Sequence, residues 1–85
     1  MVDKKPVGKV THFFPKVSVA VVKLTDNLKV GDSITIEGHD KVLEQPVESM
    51  QVNHEDILEA KPGDDVGLKT HDPVKQGDVV YLIVE

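Results

Sequence analysis

The chain has 85 residues, no cysteine, fifteen acidic residues and ten basic ones that are all lysine, for a formal charge of −5. That length supports one small domain, residues 1–85, burying about 60–65% of the surface its unfolded form exposes, and the lack of thiols excludes a disulfide framework, a thiolate zinc site and a cysteine nucleophile. Without arginine there is no guanidinium fork for phosphate, and the net charge repels a polyanion overall, although Lys4, Lys5, Lys9 and Lys16 make the first sixteen residues the most basic part.

In chain order, residues 1–5 read as a flexible, solvated arm. No apolar run follows their charges and no stretch approaches the ~20 apolar residues of a membrane helix, so neither a secretory leader nor a membrane span is expected and the expected location is cytoplasmic. From there apolar residues recur with period two, interrupted about every ten residues by turn residues, which is how an all-β barrel or sandwich reads. The pattern predicts strands over residues 7–13, 17–24, 33–37, 42–52, 66–70 and 79–84. Residues 53–60 hold at most a single helical turn or a bend.

Within the second strand Ala20, Val22 and Leu24 share one face, and Val17, Val19 and Val21 the other. Both faces are apolar up to Lys23, so either the strand is covered on both sides or one side is a contact surface. In the third strand Ile34 and Ile36 point one way, Ser33, Thr35 and Glu37 the other. Pro46 removes a ladder donor from the fourth strand and marks a sheet edge or a bulge.

Three segments share one pattern: Leu28-Lys29-Val30-Gly31-Asp32, Ala60-Lys61-Pro62-Gly63-Asp64 and Val74-Lys75-Gln76-Gly77-Asp78. Each places glycine where a type II turn demands positive φ, and Pro62 pre-sets the φ of the position before it. They read as turns that launch strands. A phosphate cradle would need a helix N-terminus behind the glycine, and β-like segments follow instead.

Chemistry-bearing groups are dispersed. His39-Asp40, His54-Glu55 and His71-Asp72 are adjacent pairs, and neighbours on a strand face opposite ways, so none is a ready catalytic dyad. The four histidines, His12 included, show no ligand spacing, and rim or loop positions are expected rather than a metal site. Neither Ser18 nor Ser49 sits in a strained strand-to-helix elbow. The carboxylates fall at turns (Asp32, Asp64, Asp65, Asp78) or on wet faces (Glu37, Glu48), with no sign of the burial that shifts a catalytic pKa. No nucleotide fingerprint appears. His12-Phe13-Phe14-Pro15 carries two of the chain's three aromatics. Successive strand residues alternate in direction, so one of the two rings is expected to be at least partly exposed, as a cap or as a platform for a partner or a base.

Gly8-Lys9-Val10-Thr11 and the run from Leu28 to Gly38 resemble the opening of the second domain of translational GTPases, most nearly the archaeal and eukaryotic elongation factor that delivers aminoacyl-tRNA. Val47 to Glu55, Glu59 to Leu68 and Lys75 to Val80 resemble its remainder. The chain is similar as a whole to small translation elongation factor-like proteins, and also to the C-terminal β-domain of collagenase-like peptidases. The resemblance implies a six-stranded, mostly antiparallel Greek-key barrel of the translation-protein type, a non-enzymatic binding module with no cofactor and no GTP. Its implied partners are RNA, the ribosome or a translation protein; the resemblance assigns no individual binding residue, and the paired phenylalanines and the loop holding His54 make His12, Phe13, Phe14, Lys16 and His54 the expected contact residues. The alternative is a protein-docking or self-association domain, like an accessory domain of a larger enzyme.

Overall fold

The computed structural model describes residues 3–39 and 41–84, all in strands, turns and loops. The strands are β1 (Asp3–Phe14), β2 (Val19–Leu24), β3 (Leu28–Lys29), β4 (Ser33–Glu37), β5 (Val42–Pro46), β6 (Met50–Val52), β7 (Glu55–Ile57), β8 (Glu59–Ala60), β9 (Asp65–Lys69) and β10 (Val79–Val84). Every pairing is antiparallel. Eight strands form one sheet in the order β5-β4-β10-β1-β2-β9-β6-β7, and β3 pairs with β8 in a separate two-stranded ribbon.

One core organises this sheet. Val7, Val10, Ala20, Val22, Leu24, Ile34, Ile36, Val66, Leu68 and Val80 point inward from its central strands, joined by Leu43, Val47 and Met50 from near its ends and by Leu28 and Ala60 from the ribbon. Side chains from both ends of the sheet meet in one cluster, so the sheet curls around it. The ladder order is nonetheless open. Among the described residues β5 and β7 do not pair with each other. Instead the gap is bridged by the ribbon segment, where Val30 N–H donates to Leu58 O at 2.9 Å and Gly31 N–H donates to Val47 O at 2.8 Å. The buried Gln45 side chain of β5 adds a second bridge. Its Nε2 donates to Lys69 O and its Oε1 accepts from His71 N–H, both at 2.8 Å.

The expected all-β antiparallel pattern is present, with three local differences. The strand expected over residues 42–52 divides into β5 and β6, which lie near opposite ends of the sheet. Pro46 ends β5 at the sheet edge, and Val47 turns inward instead of continuing the ladder. The bend expected over residues 53–60 is a tight hairpin. Asn53 and His54 both have positive φ (53° and 65°), as the two central residues of a type I′ turn require, and they join β6 to β7. Third, Asp3, Lys4 and Lys5, expected within a flexible arm, are β1 residues paired with Val84, Ile83 and Leu82. Met1 and Val2 of that arm lie outside the described residues.

The three Lys-x-Gly-Asp segments are one device used three times. Gly31, Gly63 and Gly77 have φ of 98°, 91° and 97°, and in each turn the Asp N–H donates to the Lys carbonyl at 3.1 Å. The Asp carboxylate then accepts from the Lys N–H, at 2.9 Å for Asp32 and Asp78 and 3.0 Å for Asp64. Each turn also docks on one buried residue, Val47, Leu24 or Val10. That residue's carbonyl accepts from the Gly N–H and its own N–H donates to the Asp carbonyl, at 2.8 to 2.9 Å throughout. Four backbone polar groups are satisfied at each dock, which lets these apolar side chains sink into the core without leaving amides unpaired.

Candidate functional site

The first strand decides which aromatic ring is available. Val10 pairs with Val22 and His12 with Val21, so Thr11 is an extra residue absorbed in a bulge. Thr11 turns its hydroxyl back to donate to Val21 O at 3.2 Å. Because the bulge absorbs one residue, Val10 and Phe13 both face the core although an odd number of positions separates them. His12 and Phe14 face out, with ring centroids 4.5 Å apart and planes tilted by 57°. Phe14 is 46% exposed, whereas Phe13 packs on the core.

Register then assembles the outer face row by row. Phe14 pairs with Val19, which pairs with Lys69. His12 pairs with Val21, which pairs with Gly67 and through it with Gln51 and Asp56. Lys9 pairs with Lys23, which pairs with Asp65. Gly67 contributes no side chain to the middle row. A groove of about 370 Å³ opens over it, walled by Phe14, Val17, Val19 and Val21 on one side and by Gln51, Asn53 and His54 on the other. A Cβ at position 67 would come within 3.3 Å of Val19 Cγ1, so the floor is as deep as the backbone allows.

Of the residues expected to form a site, the structure brings Phe14 and His54 together in this groove, with the His12 ring tilted against that of Phe14. Phe13 is turned away from it. Lys16 is exposed in the β1–β2 turn and does not line it. The outward half of β2 proves to be the spare apolar face, since Ala20, Val22 and Leu24 are the buried ones. Gln51, Asn53 and Gly67 were not singled out by sequence, and Asp65, read there as a turn carboxylate, is the first residue of β9. The one available signal was Gly67, a glycine inside a strand pattern, which marks close backbone approach.

Several other charges are paired away from the groove. Lys4 pairs with Glu37 and lies 4.8 Å over the Tyr81 ring, and Lys5 pairs with Asp26 at 3.2 Å. The Lys4 ammonium, aided by the Thr35 hydroxyl, holds the Glu37 carboxyl below its ordinary range. The Asn27 N–H and then Lys5 do the same for Asp26. His71 pairs with Glu48. His39 lines a second, more polar cavity of about 710 Å³ with Glu37, Lys41, Val74 and Asp78. Among the described residues no three His, Asp or Glu side chains converge as a metal site would require.

No protein-family model matches the chain. It is 46% identical over 83 residues, 96% of its length, to an uncharacterized protease of Methanocaldococcus jannaschii, and that match takes up 20% of the protease. It is 33% identical over 63 residues, 65% of its length, to elongation factor 1-alpha of Pyrococcus horikoshii, 15% of that protein. The chain thus spans no more than a fifth of the curated relatives it matches. Among solved structures, the C-terminal domain of a U32 peptidase from Geobacillus thermoleovorans superposes with a TM-score of 0.86 at 18% identity, covering 92% of this chain and 91% of that domain. Its selenomethionine variant gives 0.85 at 19% identity, covering 89% and 96%. The chain shares its fold with that C-terminal domain, and the match to the elongation factor is weaker and shorter.

Proposed function

We propose that this chain is a non-catalytic docking module of the kind found as the C-terminal domain of U32 peptidases. The observation that carries this reading is the near full-length identity to one fifth of an archaeal protease, joined to the fold of a peptidase C-terminal domain. The site supports it. The outer groove offers apolar area and amide groups, while the turn carboxylates are committed to capping backbone N–H groups and the four histidines are dispersed. In the finer reading of the fold, β1, β2, β4, β5, β9 and β10 are the six staves of a Greek-key barrel of the translation-protein type, with the ribbon and hairpin completing its wall.

The test is a swap. This chain, placed in the archaeal protease in exchange for the matching fifth, is expected to give a soluble chimera with the parent's turnover, while the isolated chain hydrolyses no member of a peptide library. Hydrolysis by the isolated chain overturns the reading. A second reading, a module contacting RNA, the ribosome or a translation protein without using GTP, is favoured by the 33% identity to elongation factor 1-alpha. It predicts RNase-sensitive recovery of the tagged protein with ribosomes or tRNA.

A further inference from the structure

The ladder gives the groove over Gly67 two unlike ends. The outward residues of β9 are Lys69, Gly67 and Asp65, and they pair across β2 with Val19, Val21 and Lys23. Phe14, the partner of Val19, and Val17 wall the first end, and Asp65 lines the other. Asp65 supplies the groove's single carboxylate, and no lysine lines it. Lys23 stands directly across from Asp65, yet among the described residues the two form no ion pair, and it is the carboxylate alone that borders the groove. Gln51 adds a neutral acceptor. Its Nε2 donates to Asp56 Oδ1 at 2.9 Å, so the amide turns its NH2 toward β7 and its carbonyl oxygen to the opposite side. An occupant that complements these groups carries donors and positive charge, and the chain's formal charge of −5 draws the same sign from a distance.

We infer that the groove takes one arginine of an extended segment of a partner protein, its aliphatic stem lying on Val21 over the Gly67 backbone and its guanidinium meeting Asp65. This inference rests on the docking-module reading and names its partner. The floor fits such a side chain. Gly67 leaves the middle row bare, and Asp65 stands about 6.6 Å away on the same face of β9, so an apolar stem and a charged head find matching surfaces in turn. Arginine is favoured over lysine because its planar fork binds a carboxylate through two parallel hydrogen bonds and keeps donors for an amide oxygen. In an extended segment the next side chain on that face lies about 6.6 Å away, which seats an apolar residue against Val19 and Phe14. Lys23 and Lys69 stand at the two ends of the row, outside the groove, and limit the segment to a single cation. A nucleic acid is disfavoured, since its phosphates would meet Asp65 and the net negative charge.

The test uses four labelled probes in fluorescence anisotropy: a ten-residue peptide with one arginine and a leucine two positions along, otherwise uncharged; its citrulline twin, which keeps the shape without the charge; its glutamate twin; and a ten-nucleotide uridine RNA. His54 is the groove's other titratable group, so binding is read at about pH 8, where an ordinary imidazole is uncharged. The arginine peptide is expected to bind about ten-fold tighter than either twin and than the RNA, as one charge-assisted pair requires. Asp65→Asn, at an exposed position, keeps the fold and should bring the arginine peptide down to its citrulline twin. Gly67→Leu fills the groove and should remove the binding of both, with circular dichroism showing that the sheet is retained. Equal binding of the arginine and citrulline peptides, an arginine preference that survives Asp65→Asn, or no peptide binding at all overturns the groove assignment and leaves the docking-module reading to its chimera test. Preferential RNA binding overturns both.

Discussion

The two faces of β2 are built from nearly the same residues and do different work. Ala20, Val22 and Leu24 are fully buried, and the Leu24 backbone exchanges hydrogen bonds with the second Lys-x-Gly-Asp turn. Val19 and Val21, one step away, are half-buried on the outer face and wall a groove. Apolar composition therefore does not separate core from contact surface. Register does, and register is set by the Thr11 bulge and the docked turns. The inner face is bound to a single arrangement by packing and reciprocal backbone bonds, while the outer face stays half-exposed along a groove.

The sharpest way to break this contrast is to empty the inner face. Leu24→Ala should cost about 2–5 kcal/mol in urea unfolding, the range for truncating a large core aliphatic, and should affect binding only through the unfolded fraction. Gly63→Ala leaves the packing alone, since nothing lies within 4 Å of an added Cβ, but at a φ of 91° it should cost about 1–2 kcal/mol. The same loss at Gly31 and Gly77 would establish the three turns as equivalent. Asp64→Ala, which uncaps the Lys61 N–H, is expected to cost about 1 kcal/mol, with Asp64→Asn recovering part of it.

A smaller effect concerns acid stability. Because Lys4 holds the Glu37 carboxyl below its ordinary range, Glu37 contributes stability that is present above the unfolded-state carboxylate pKa and is lost as pH falls through the lower folded value. Urea midpoints of Glu37→Gln should lie slightly below those of the parent at neutral pH and converge on them in acid. A constant difference across the range would mean that the substitution acts through packing instead of charge.

Much of the fold was legible because period two, glycine spacing and Pro46 each report a local constraint. The Lys-x-Gly-Asp turns were readable from glycine, and their carboxylate caps span only three residues, but their docking on Val10, Leu24 and Val47 was not legible, since those bonds join segments far apart in sequence. The split of residues 42–52 was hidden because an apolar Val47 after Pro46 suits a chain that continues the ladder as well as one that turns inward. The same holds for the site. Alternation required one exposed phenylalanine, yet choosing Phe14 needed the bulge at Thr11, and bringing it near His54 needed β9 to lie next to β2 and β6 next to β9. Lys16, drawn in by its neighbourhood in sequence, does not line the groove.

The most direct measurement is a matched pair of substitutions on adjacent residues, Val22→Thr and Val21→Thr, followed by urea unfolding. The division of β2 into a structural and an available face predicts a loss of about 1–3 kcal/mol for Val22→Thr, where a hydroxyl enters the core, and a change within about 0.5 kcal/mol for Val21→Thr. Equal losses at the two positions would show that the outer face is already committed to the fold, and would contradict the division.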